Sequence, residues 1–178
     1  RLKAEREARG WTLAELAERS RVSKAMISKV ERGDSSPTAT LLGRLSGAFG
    51  LTLSQLLARA EAGSGRLARS AAQPAWRDPE TGYVRHAATP EGAATPLSLV
   101  RVELPAGASV AYPAAAFRFI DQQILVLEGS LDFTQGEARY EMAAGDCLHL
   151  GPAADCVFHN PGSAPCRYLV AVLRTDRA

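Results

Sequence analysis

The chain has no long hydrophobic run. Its longest apolar stretch is Tyr168 to Leu173, far short of the roughly 18 to 20 residues that a membrane-crossing helix needs, so no membrane segment is expected. Cysteine is scarce: Cys147, Cys156 and Cys166 are odd in number and lack CxxC spacing, which argues against a disulfide framework or a zinc knuckle and for free thiols. Cys147 and Cys156 read as small apolar core residues. The three histidines, His86, His149 and His159, read as hydrogen-bonded or exposed side chains rather than ligands. No nucleophile–base pair, phosphate loop or paired-carboxylate motif is found, so the sequence offers no argument for catalysis and a non-enzyme is expected. Repeats and low-complexity tracts are lacking too. The opening RLKAEREARG is charged and has no apolar stretch; no secretory signal is read there, and the cytoplasm is the expected compartment.

What is present is an ordinary globular composition, with 178 residues, 46% hydrophobic and 22% charged. That length suits one mid-sized domain or two small ones. The net charge of +2 hides an asymmetry. Residues 1–60 carry 11 Lys or Arg against 6 Asp or Glu, net +5, and residues 61–178 carry 10 against 13, net −3. The first part is thereby suited to a polyanion and the second is not.

Residues 1–60 show helical spacing broken at short intervals: Leu13, Leu16 and Ala17, then Met26, Ile27 and Val30, then Leu41, Leu42 and Leu45. Thr12 with Glu15 forms a capping box, Ser23 caps the next segment, and Gly33 followed by Pro37 closes it. Thr38 or Thr40 opens another helix that Gly50 ends, and Thr52 or Ser54 opens a last short one. Five helices are predicted. Residues 61–75, EAGSGRLARSAAQPA, are predicted to be a linker. Beyond it come alternating β-branched stretches near residues 83, 97, 123, 131, 138, 146, 156 and 166, the spacing of a sandwich or barrel. The predicted boundaries are 1–60, 61–75 and 76–178.

Within the helical part, one helix about Leu13 to Arg19, a turn Ser20-Arg21-Val22 and a second helix about Lys24 to Arg32 make a helix-turn-helix. The second helix of such a pair enters the major groove. Met26, Ile27 and Val30 are predicted inward, leaving Lys24, Ala25, Ser28 and Lys29 outward, where Lys donates to guanine and Ala meets a thymine methyl. The stretch VSKAMISKVERG, Pro37 and LLGRLSGAFGLTLSQLL resemble the XRE, or Cro/repressor-type, helix-turn-helix family. The resemblance implies that Lys24, Ala25 and Ser28 face bases, while Thr12, Ser23, Lys29 and the helix start Ser36, Thr38 and Thr40 hold phosphates. It also implies an Arg6–Glu31 brace, and Leu13 departs from it where several members carry a polar phosphate contact.

The strand series, through LVLEGSLDF, GDCLHLGP and DCVFHNPGSAPCRYLVAV, resembles a cupin, a small β barrel that often holds a metal through two histidine-containing motifs. Aligned on Gly129 and Asn160, the family's ligand positions fall on Ala115 and Phe117 or Ala116 and Arg118, on Gln122, and on Cys156. None of the usual ligands is kept, and metal chemistry needs several convergent donors, so neither metal nor cofactor is expected. A rebuilt metal or redox site from Cys147, Cys156, His149 or Asp146 stays open. A metal-free mouth suits a small molecule, with walls from Tyr112, Phe117, Phe119, Gln122, Ile124, Cys156 and Phe158 and Arg118 or Asp146 at the rim.

The expected architecture is thus an all-α five-helix bundle followed by an all-β cupin-like, double-stranded β-helix barrel. The expected function is a homodimeric transcriptional regulator that binds a double-stranded DNA operator and an unidentified small-molecule effector. A metal-dependent cupin enzyme with a DNA module and an effector-free antitoxin-like scaffold are the alternatives.

Overall fold

Capping side chains cut the first third of the chain into five short helices. In the computed structural model, which describes residues 2–57, 66–90, 93 and 95–175, these are α1 (Leu2–Ala8), α2 (Leu13–Ser20), α3 (Lys24–Arg32), α4 (Ala39–Phe49) and α5 (Leu53–Leu57). Thr12, Ser23 and Thr38 each accept an amide three residues on, and Gly33 and Gly50 close α3 and α4 at φ 78° and 65°, a left-handed geometry that favours glycine. The turn between α2 and α3 is Arg21-Val22-Ser23, one residue later than the sequence predicts. Ser20 stays helical because its hydroxyl donates back to the Leu16 carbonyl at 2.6 Å, and Arg21 makes the turn at φ 54°. Leu16, Val22, Ile27, Leu42, Leu45, Phe49 and Leu56 form the helical core.

Ten strands follow: β1 (Ala75–Arg77), β2 (Val84–Ala87), β3 (Leu97–Leu104), β4 (Ser109–Tyr112), β5 (Ile120–Glu128), β6 (Ser130–Gln135), β7 (Ala138–Ala143), β8 (Cys147–His149), β9 (Cys156–His159) and β10 (Cys166–Arg174). They pair antiparallel in two sheets, ordered β1-β2-β3-β10-β5-β8 and β4-β9-β6-β7, and share one core between them. β1 and β4 escape the sequence pattern. Each is only three or four residues long beside a proline, and each is fixed by a partner strand, β2 or β9. In the predicted linker, residues 61–65 lie outside the described ones, Ser70–Ala72 form a 3-10 turn, and β1 already starts at Ala75.

Cys147 is a correction. It is exposed, not in the core, because β8 lies at a sheet edge and turns Leu148 inward in its place. Asn160, by contrast, is fully buried, with its amide nitrogen donating to the carbonyls of Leu104, Pro105 and Ala164 and its oxygen accepting the Gly162 amide. Asn160→Ala strands these buried groups, so we expect a loss of about 3 kcal/mol in urea unfolding, with the slope m unchanged.

The two parts pack together along α4. At its first turn, Asp78 from the β domain, 2% exposed, accepts the Ala39 amide at 3.0 Å, a carboxylate at a helix N-terminus. The Thr40 hydroxyl donates to the Ala111 carbonyl at 2.9 Å. Further along, Gly43 and Gly47 lie against Tyr112 and Ala115, and Gly50 against the Phe119 ring.

Candidate nucleic-acid interface and the pockets behind it

The 3.6-residue period divides α3 in the manner the sequence predicts. Ile27 is fully buried and Met26 and Val30 half-buried, whereas Lys24, Ala25 and Lys29 are exposed and Ser28 half-buried. Ser28 accepts from the Arg32 guanidinium, which also pairs with Asp34. Behind this helix the Arg6 guanidinium grips both Glu31 oxygens at 2.8 and 2.9 Å, the brace that the resemblance implies.

The residues assigned to phosphate separate into groups. Ser23 and Thr38 use their oxygens as caps and keep a proton to donate. Thr12 gives its hydroxyl proton to Glu15, and the Thr12 amide and hydroxyl together hold that carboxyl below its ordinary range. Thr12 thus brings a carboxylate with it. Thr40 is spent on Ala111, and Ser36 is exposed. Two cations that sequence reasoning passed over, Arg21 and Arg44, flank the start of α3 across a shallow groove of about 490 Å³ with Ser23 and Thr38. The signal the sequence offered for Arg44 was a lone cation in the otherwise uncharged helix ATLLGRLSGAF.

In the β domain, Tyr112, Phe117, Gln122 and Phe158 come together around a void of about 40 Å³ roofed by Gly43, Ser46 and Leu53 of the helices, room for about one water molecule. The other predicted walls stand apart. Phe119 is 37% exposed and lies against Gly50, Ile124 is buried in the core, and Cys156 lies in that core too, its thiol donating to the Ala154 carbonyl. Burial, with Asp155 adding, pushes the Cys156 thiol up to about 12, which removes the thiolate that redox sensing requires.

The metal positions do not fit a metal either. Ala116, Phe117 and Gln122 line the small void, and among the described residues no three His, Cys, Asp or Glu side chains converge. His149 instead pairs with Asp121 at 2.6 Å on the exposed sheet edge. Next to the void, a cleft of about 440 Å³ opens between α5 and strands β1 to β3, walled in part by Ser54, Gln55, Trp76, Arg85 and Ala87. Arg85 lines both spaces.

Comparison with known proteins gives the helical part a family. The family described as Helix-turn-helix matches residues 2–56. These residues form a helix-turn-helix domain of that family. The helix-turn-helix domain is also similar to the HTH-type transcriptional regulator SutR of Escherichia coli K12, at 49% identity over 45 residues. That match covers 25% of this chain and 25% of the relative, so the similarity spans a quarter of its length. A crystal structure of an HTH_3 family transcriptional regulator from Vibrio cholerae superposes on 97% of this chain and 92% of its own, at TM-score 0.76 and 23% identity. A cupin-superfamily sugar phosphate isomerase from Silicibacter pomeroyi matches 62% of this chain and 76% of its own at TM-score 0.50 and 21% identity. The β domain has a cupin-like fold. The whole architecture is shared as well with hydroxypropylphosphonic acid epoxidase from S. wedmorenis, over 97% and 94% of the two chains at TM-score 0.51 and 18% identity. Chains that match this one over nearly its whole length thus include a regulator and an enzyme, and architecture alone does not choose between them. Among the described residues no helix is long and apolar enough to cross a membrane.

Proposed function

We propose that the chain is a sequence-specific, homodimeric transcriptional regulator of the cytoplasm, without catalytic activity, whose operator binding answers to a small molecule. Residues 1–60 bind DNA, 61–75 connect, and 76–178 dimerise and sense. The observation that carries this reading is the outer face of α3, where Lys24, Ala25 and Lys29 are exposed around Ser28 while the opposite face is packed and the helix is braced through Glu31. Lys24, Ala25 and Ser28 meet base edges; Ser23, Lys29, Thr38 and the two arginines Arg21 and Arg44 hold the backbone.

Dimerisation follows from affinity and from the sheet. One small module binds weakly, whereas two joined modules read half-sites a helical turn apart. The outer face of β3, β10 and β5 supplies a surface for joining: Leu97 lies opposite Leu173 and Leu125 opposite Leu169, with Leu97, Leu127 and Leu173 exposed. The enzyme reading draws on the epoxidase likeness, but this chain keeps alanine, phenylalanine and glutamine where convergent donors would be needed.

The test is binding to operator sequences selected from a random pool, measured against salt. Lys24→Ala should cost about 1–3 kcal/mol on the selected site and relax the preference at one position. Lys29→Ala should weaken all sequences alike and lower the salt slope by about 0.9. Equal losses from both variants on every sequence would refute the division of roles.

A further inference from the structure

Four of the outward arginines are matched to acids, Arg9 to Glu5, Arg32 to Asp34, Arg139 to Asp132, and Arg167 to Glu103 and Glu128, while others, such as Arg21 and Arg44, are simply exposed to water. The best-buried of the ion-paired arginines, Arg6, holds Glu31. Arg85 is turned inward with no described acid beside it. It stands on β2 opposite Val102, itself fully buried, and so points to the interior side of the sheet. Among the described residues its acceptors are neutral hydroxyls, Tyr83 Oη at 3.1 Å and Ser54 Oγ at 3.4 Å with the Tyr112 hydroxyl beside them, and no carboxylate. A guanidinium carries five N–H donors in a planar fork suited to a carboxylate, and a partly desolvated cation without a counter-ion is costly to maintain. The fold keeps this cation at the wall of a cleft large enough for a small organic molecule.

We propose that the cleft between α5 and strands β1 to β3 binds a small organic monoanion, its carboxylate on Arg85 and its apolar body along Trp76. The register places Trp76 directly beside Arg85 on the same face. Arg85 is the one charged side chain among the described lining residues, which matches a single negative charge rather than a phosphate ester. Ser54 and Gln55 reach the cleft from α5 of the helix-turn-helix domain, so the bound molecule touches both domains. This site is distinct from the space among Tyr112, Phe117, Gln122 and Phe158, where about 40 Å³ is open, and from the cleft of about 460 Å³ that Phe117, Arg118 and Gln122 line with His149. As the site of an effector it rests on the regulator reading; as a binding site it does not, and it is measured without DNA.

The experiment is calorimetric titration of the full chain with benzoate and with its neutral isostere benzamide at millimolar concentrations. Benzoate should bind about tenfold more tightly than benzamide, and Arg85→Met should erase that ratio. Ala87→Phe fills the cleft two residues along the same strand face without removing either Arg85 contact, and should abolish benzoate binding, which keeps the test sound if Arg85→Met fails to fold. No benzoate binding, equal binding of the two probes, a ratio that survives Arg85→Met, or unchanged benzoate affinity in Ala87→Phe each overturns the proposal. Failure of operator binding in the salt titration would sink the regulator reading and leave these outcomes untouched.

Discussion

Gly47→Ala should destabilise the protein by about 3 kcal/mol and loosen α4 from the β domain. On an exposed helix this substitution would stabilise by about 1 kcal/mol, since alanine is the better helix former. Here the sign reverses because of what the new methyl meets. A Cβ at Gly47 would stand 2.8 Å from the carbonyl carbon and oxygen of Ala115 and 2.9 Å from its Cβ, closer than van der Waals contact allows. Two of those atoms are backbone, in the 3-10 turn Ala114–Phe117, and cannot rotate away. The turn is held from its other side as well, since the Ala114 amide donates to Asp155 at 2.7 Å.

Gly43→Ala offers a graded comparison. Its Cβ would meet Tyr112 Cδ1 at 2.7 Å, a side-chain atom, but of a ring packed edge-on against Phe117 and Phe158. Some yielding is available there, so a smaller loss is expected than at Gly47. Urea unfolding of the three proteins checks the order, and limited proteolysis between the domains checks the loosening. A gain in stability for Gly47→Ala would show that the two domains are not in close contact along α4.

These close approaches explain which features were legible in the sequence. Helix limits were, because capping is local: Thr12, Ser23 and Thr38 act on amides three residues away, and Gly33 and Gly50 act at their own positions. The long strand β3 was legible in the alternation of LSLVRVEL, and the outward face of α3 in its period. β1 and β4 were not, because each abuts a proline, Pro74 or Pro113, in alanine-rich chain, and each is fixed by its partner strand rather than by its own pattern. Cys147 was misplaced because composition favours burial while edge position decides it. In the candidate site, the Lys24 face could be drawn from one helix alone. Arg85 could not, since its meaning depends on Ser54, 31 residues away, and on a cleft that exists only once α5 is packed over the sheet. Phe119, an aromatic near the ligand motif, invites a place in the pocket, yet its ring lies against Gly50 at the end of α4. Contacts between the domains thus leave the weakest trace in the sequence.

Glu31→Ala should cost about 3 kcal/mol of stability, because it strands a cation rather than merely removing a contact. The Arg6 and Glu31 side chains are 12% and 7% exposed, and the bidentate geometry, with Glu31 as its largest cause, raises the Arg6 pKa above its ordinary value. After the substitution the guanidinium keeps the Trp11 carbonyl at 2.9 Å and an ion pair with the solvent-exposed Glu7 at 3.6 Å, which replace the two short charged hydrogen bonds only in part. The pair links α1 to α3, so its loss frees the helix that carries Lys24 and Lys29. If the cost lies in the stranded charge, the double variant Arg6→Met with Glu31→Leu, apolar at both positions, should recover most of the stability lost by Glu31→Ala. High salt should rescue little, since the pair is shielded from solvent, in contrast to the strong salt sensitivity expected for DNA binding. A double variant as unstable as the single one would instead assign the loss to packing between α1 and α3. If the double variant folds normally and still binds the selected operator with wild-type affinity, the brace serves only to hold the fold, and Lys24 and Lys29 read DNA without help from the charge behind them.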